Sequence, residues 1–199
     1  MRYSLFPIPY SLFPIPYSLF MPTTLDALLV VAAFSRHAEA LAWARERLAA
    51  AFGLIARGSE PYRFDHTGYY APTMGPDLLK QFFAFESLVP LDSLAKWKRA
   101  AIALEAELAA SGRFPEPRPI NLDPGLLTLG KFMLATTKDQ AHRLYLGDGI
   151  FAEVTMRYCD GAYEPWPWTY ADYREESVRR FLNEAREYYK QRLRENESS

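Results

Sequence analysis

Thr136, Thr137, Lys138, His142 and Arg143 fall within eight residues of one another in the stretch ATTKDQAHR. Two hydroxyls, an ammonium, an imidazole and a guanidinium can all donate hydrogen bonds, so one loop carrying them can hold a phosphate or a carboxylate. The segment is not a Walker loop. No G-x-x-x-x-G-K-[ST] occurs, and the glycines that open a backbone around a triphosphate are missing. The competing reading is a turn in which threonine caps, Lys138 is solvated and Arg143 pairs with a nearby acid. We take Thr136, Thr137, Lys138 and Arg143 as the candidate anion site. For proton transfer the candidates are His66, His142, Glu153 and Asp65, because an imidazole or a desolvated carboxylate can titrate near neutrality.

His66 and His142, two of three histidines, could join Asp65, Asp123 and Glu153 in a metal shell, but H-E-x-x-H and similar helical pairs are absent. No metal is assigned, and no cofactor is specified. His37, at the start of a helix, reads as a surface residue. Three further polar or aromatic clusters sit at expected strand ends and loops: Tyr69 and Tyr70 beside Asp65-His66-Thr67, NLDPG at 121–125, and PWPWTYADY at 165–173. In the last, Trp166 and Trp168 alternate with prolines and read as an aromatic lid over one end of the core.

The elements that must position these groups follow from periodicity. Ala27 to Phe34 is a continuous apolar run, the mark of a strand covered on both faces. Ser35 can cap the helix after it, in which Ala38, Leu41, Ala42, Leu48, Ala49 and Phe52 form a stripe that Gly53 ends. Residues 54–67 look extended, with Pro61 favouring an edge, and 81–86 read as a strand. Asp92 is the expected cap of a second helix carrying Leu94, Trp97, Ala101, Leu104 and Leu108. Leu126 to Leu134 is taken as a fourth strand. The clearest strand is Ile150 to Tyr158, between hairpin turns at GDG and Asp160-Gly161. Its alternation puts Val154 and Met156 on one face and Glu153 and Arg157 on the other. Asp172, with Glu175 three residues on, resembles a capping box that starts the last helix.

The expected fold is α+β: a mainly antiparallel sheet with helices packed on one face, in ferredoxin-like βαββαβ order, followed by a C-terminal hairpin and helix. Residues 21–199 are of a size for one domain with its own core. Before them, YSLFPIPYSLFPIPYSLF repeats a seven-residue unit. That unit is too short for a solenoid repeat, and its prolines forbid a coiled coil. We expect residues 1–20 to be a translated tandem repeat, extended or disordered and without function, and Met21 to be the functional start.

A net charge of −1 offers no broad attraction for nucleic acid or an anionic surface, which makes nucleic acid an unlikely partner. No apolar run reaches the ~18 residues a membrane span needs. A single cysteine, Cys159, reads as an apolar filler and suits a reducing cytoplasm, where the protein is expected.

The stretches DHTGYYAPTMGPDL, INLDPGLLTLGKFMLATTKDQAHRLYLGDGIFAEVTMRY and EPWPWTYADY resemble those of an uncharacterised bacterial family, domain of unknown function 4416, from about Leu28 to Tyr189. The resemblance implies a single-domain cytoplasmic bacterial protein of unassigned activity, and it carries over no catalytic residues. Two functional readings stand. The first is a small-molecule enzyme or ligand-binding domain for a small anionic ligand. The second is a non-enzymatic interaction or regulatory module that meets a protein partner or a second copy of itself.

Overall fold

The computed structural model describes residues 25–64 and 68–197. The repeats at 1–20 and the candidates Asp65 and His66 lie outside the described residues. Among the described residues nine strands form one sheet: β1 Asp26–Ser35, β2 Ile55–Gly58, β3 Tyr62–Phe64, β4 Leu78–Pro90, β5 Asn121–Leu127, β6 Lys131–Thr136, β7 Leu144–Gly147, β8 Ile150–Cys159 and β9 Ala162–Pro165. The helices are α1 Ala38–Phe52, the short α2 Ala71–Met74, α3 Leu94–Ala110 and α4 Glu176–Glu197. No described helix is long and apolar enough to cross a membrane.

The sheet runs β2-β4-β1-β5-β6-β8-β7, with β3 on β4 and β9 on β8, and every described pairing is antiparallel. β1 is central, with Ala27 to Ser35 all buried, because strands and helices cover it on every side. One face packs on α1 and α3: Leu29, Val31, Ala33, Phe83, Leu122 and Leu126 meet Leu41, Leu48, Leu104 and Leu108. The other face packs on α4, where Val30, Phe82, Phe132 and Met156 meet Val178, Phe181, Leu182 and Ala185. Helices therefore flank both faces and not the single face expected. The last helix covers the side that α1 and α3 leave bare.

Four local expectations change. The buried stripe of α1 is Ala40, Leu41, Ala44, Leu48 and Phe52, rotated slightly from the sequence reading. Leu126–Leu134 is the hairpin joining β5 to β6, not one strand. Asp92 lies in a 3-10 turn; Ser93 precedes α3, and no side chain caps it. In β8 the alternation breaks. Phe132 pairs with Met156 and Met133 with Val154, so Thr155 is an extra residue in a bulge. Met156 thereby joins Glu153 on the α4 side of the sheet, while Val154 keeps the α3 side.

Candidate functional site

On its α4 side the sheet is only partly roofed. At the end bearing Phe34, Lys80, Asn121, Asp123, Leu134, Thr136 and Glu153, loops replace the helix and enclose a cavity of about 510 Å³. Register places these residues together: Phe34 pairs with both Lys80 and Asn121, Ala32 with Asp123, and Leu134 with Glu153. The walls come from Tyr69 and Tyr70 after β3, Thr137, Lys138 and Gln140 after β6, and Tyr170 to Tyr173 before α4.

Lys80 and Asp172 are both buried there and join at 2.5 Å. Asp172 is thus not the cap of α4, since its carboxylate is spent on a strand residue 92 positions away. The Lys80 ammonium also lies 4.5 to 5.6 Å from the ring centroids of Tyr173, Phe64, Phe82 and Phe34. Quadrupoles of such rings favour a cation, and with the carboxylate they replace the water that burial removes.

The second ion pair depends on a split in the sheet. Pairing of β5 with β6 starts at Gly125 and Leu134, although β5 reaches back to Asn121 and β6 on to Thr136. A Cβ at Gly125 would stand 2.6 Å from the Met133 carbonyl, so only glycine lets the strands close at that point. Beyond it, side chains of α3 do the work of a strand. Glu105 accepts the Leu122 N–H at 2.7 Å, and Lys98 Nζ donates to the Leu122 carbonyl at 2.8 Å. Lys98, from the opposite face, also reaches Asp123 Oδ1 at 2.9 Å, and Asn121 Nδ2 donates to Asp123 Oδ2 at 2.6 Å. Burial alone would push the Asp123 carboxyl up. The charges of Lys98 and Lys80 and the bonds from Lys98 and Asn121 outweigh it and hold the group below the usual aspartate range. Glu105 moves the other way, because burial outweighs the cations beside it.

Glu153 anchors the third pair. Its Oε2 accepts from Arg143 Nε at 2.8 Å and lies 3.2 Å from His142 Nε2, while Thr155 donates to its Oε1. The same guanidinium donates to the Lys138 carbonyl at 2.9 Å and to the Tyr170 hydroxyl at 2.6 Å. Arg143 therefore stands behind the cavity wall with its donors engaged inside the protein. Thr136, Thr137, Lys138 and Glu153 line the cavity itself. His142 is brought to Glu153 and stacks on Trp168, whose ring is parallel to that of Trp166 to within 4°. His37 bonds Glu116 at 2.7 Å and packs on Phe114, a structural tie.

At the mouth, Lys138 Nζ lies 3.8 Å above the Tyr69 ring. A hydrogen bond from Lys138 holds the Tyr69 hydroxyl below its ordinary pKa. Tyr70, Tyr170 and Tyr173 all shift upward, chiefly through burial. Sequence reading missed Lys80, Lys98 and Arg118 as site residues and included Tyr173 only within the PWPWTYADY cluster. Only the oddity of lysines at strand and helix positions that prove buried could have flagged Lys80 and Lys98. Among the described residues no group of three or more His, Cys, Asp or Glu side chains could hold a metal ion.

Fold and site together define a mixed α+β protein whose large antiparallel sheet carries a polar, aromatic-walled cleft at its helix-free end. The chain belongs to the family described as Domain of unknown function (DUF4416), whose family model matches residues 25–189. No curated protein and no solved structure matches it.

Proposed function

We propose that the cleft binds a compact anionic small molecule, with Thr136, Thr137 and Lys138 at the anionic end and Glu153 coupled to His142 as the acid–base pair. The observation that carries this reading is the convergence on one cavity of three ion pairs, the buried Lys80–Asp172 and Arg143–Glu153 and the partly buried Lys98–Asp123, each with at least one member in the cavity wall. Burying charges costs several kcal/mol per ion before pairing, so a chain that only needed a core would fill this end with apolar side chains. Concave shape, aromatic walls and a few convergent polar groups are what a small ligand needs. The order β2-β4-β1-β5, with α1 and α3 on one face, supports the ferredoxin-like reading of that part of the sheet.

The test is a melting-temperature screen of the full chain against inorganic phosphate, sugar phosphates, nucleoside monophosphates and small carboxylates at fixed ionic strength. A ligand selective for the native state at about 100 times its Kd adds roughly 2.7 kcal/mol of stability. Lys138→Ala should melt like the wild type without ligand and bind the best hit about tenfold more weakly, the scale of one charge-assisted hydrogen bond. If no compound in the panel shifts the melting temperature, or Lys138→Ala responds as the wild type does, the anion reading is wrong. The interaction-module reading draws on edge strand β7, where Leu144, Tyr145 and Leu146 are all exposed. Sedimentation showing a dimer abolished by Leu144→Lys would favour it.

A further inference from the structure

We infer that the anionic group is a phosphate monoester, seated between Arg118 and Lys138 at the cavity mouth, with its organic part directed along the aromatic walls toward Tyr173. This rests on the small-molecule reading above and assigns the second cation to Arg118, which the sequence did not single out.

Arg118 lines the same cavity as Lys138 and is held from one side only. A single nitrogen, Nη2, donates to Glu105 Oε2 at 3.0 Å and to the Asn121 side-chain carbonyl, while the backbone N–H is tied to the Thr73 carbonyl at 3.1 Å. Among the described residues its Nη1 and Nε make no hydrogen bond, and the side chain is 36% exposed. A planar guanidinium fixed at one corner with its other edge open is preorganised for two parallel bonds to an oxyanion. Lys138 faces the same mouth, and among the described residues no carboxylate pairs with it. Tyr69, whose ring lies under Lys138 Nζ, lines the cavity together with both cations.

The donors come from three separate segments: Arg118 after α3, Tyr69 after β3, and Thr137 with Lys138 after β6. Such a set surrounds an anion. A carboxylate offers two oxygens in one plane, whereas a phosphate monoester offers three in a tetrahedral array and satisfies donors arriving from several directions. Further in, Tyr173 lines the cavity and its ring lies 4.5 Å from the Lys80 ammonium, an aromatic surface for the organic part of the ester.

The experiment is calorimetric titration of the full chain with phenyl phosphate, inorganic phosphate and benzoate at one ionic strength, using the wild type, Arg118→Lys and Lys138→Ala. Phenyl phosphate should bind, inorganic phosphate should compete with it, and benzoate should bind at least tenfold more weakly. Arg118→Lys, which keeps the charge and loses the two-donor edge, should weaken phenyl phosphate by about tenfold. Lys138→Ala should do the same. Circular dichroism and melting of each variant establish that it folds, and Lys138→Ala, altered at an exposed position, carries the test should Arg118→Lys fail to fold. Equal binding of benzoate and phenyl phosphate overturns the phosphate assignment. Dependence on Lys138 without dependence on Arg118 overturns the Arg118 assignment and leaves the anion site standing. No binding of any of the three overturns both.

Discussion

Adjacent residues of the same strands build two different interiors. On β5, Leu122 enters the apolar layer under α1 and α3, while Asn121 and Asp123 on either side of it face the cavity. On β1, Ala33 belongs to that apolar layer and Phe34 to the cavity wall. Where a helix roofs the sheet, the facing residues are leucine, alanine, valine and phenylalanine. Where α4 stops short, the same side of the sheet carries Lys80, Asp123 and Glu153, each buried or half-buried against an opposite charge. The difference teaches that charge here follows the absence of a helix roof, not depth: Lys80 and Leu104 are about equally buried. The roofed layer is stabilised by area removed from water. The open end is stabilised only as pairs, so it should fail in pairs.

The largest effect should come from breaking one pair. Lys80→Met leaves the Asp172 carboxylate buried without its cation, a loss of about 3–5 kcal/mol in urea denaturation. Lys80→Met combined with Asp172→Leu removes both charges and should recover most of that loss, although the loop before α4 then loses a polar tie to the sheet. Should the single change cost under ~1 kcal/mol, the pair is solvated in solution and the contrast between the two interiors collapses.

A gentler way to sharpen the contrast is titration. Asp123 has a folded pKa below its ordinary value of ~3.9, so its ion pair contributes fully above that pH and is lost as pH falls through the folded value. The stability difference between the wild type and Asp123→Asn should therefore be greatest near neutrality and shrink progressively below about pH 4. Denaturant midpoints across pH 6 to 2, taken roughly from that window, measure it directly. A difference that stays constant with pH would mean that Asp123 gains nothing from Lys98.

How much of this was legible depended on whether the cause was local. β8 was readable from its alternation and its flanking turns, yet its facing was misassigned past Thr155, because a bulge is set by the partner strand and leaves no mark in β8 itself. NLDPG looked like a loop for sound local reasons. It is nonetheless a strand beside β1, since Pro124 lies before β6 pairing begins and the polar groups around it are met by Lys98 and Glu105 from α3. Asp172 carries the local signature of a cap and is used instead by Lys80, a partner no spacing rule could find. Thr136, Thr137, Lys138 and Glu153 were legible as chemistry-bearing types, and the structure brings all four to one cavity. Arg143 was legible as well, but only the fold shows that its guanidinium is engaged behind the wall.

The smallest effect tests the comparison from its other side. Arg47 on α1 and Glu107 on α3 form an ion pair at 2.9 Å, a length similar to that of Lys98–Asp123, but both side chains are nearly half exposed on the outer surface of the roofed layer. The chemistry is the same and the surroundings differ. In water the Coulombic attraction is screened and offset by the entropy of holding two long side chains, so Arg47→Ala should cost about 0–1 kcal/mol and less in high salt. The loss should not depend on whether Glu107 is also changed to glutamine, because a solvated carboxylate does not need its partner. That independence separates the two kinds of pair: a double-mutant cycle at Arg47–Glu107 should close to within about 0.5 kcal/mol of additivity, whereas the cycle at Lys80–Asp172 should not. If the surface cycle showed strong coupling instead, the roofed layer would itself rely on paired charge, and exposure would no longer explain why the two interiors differ.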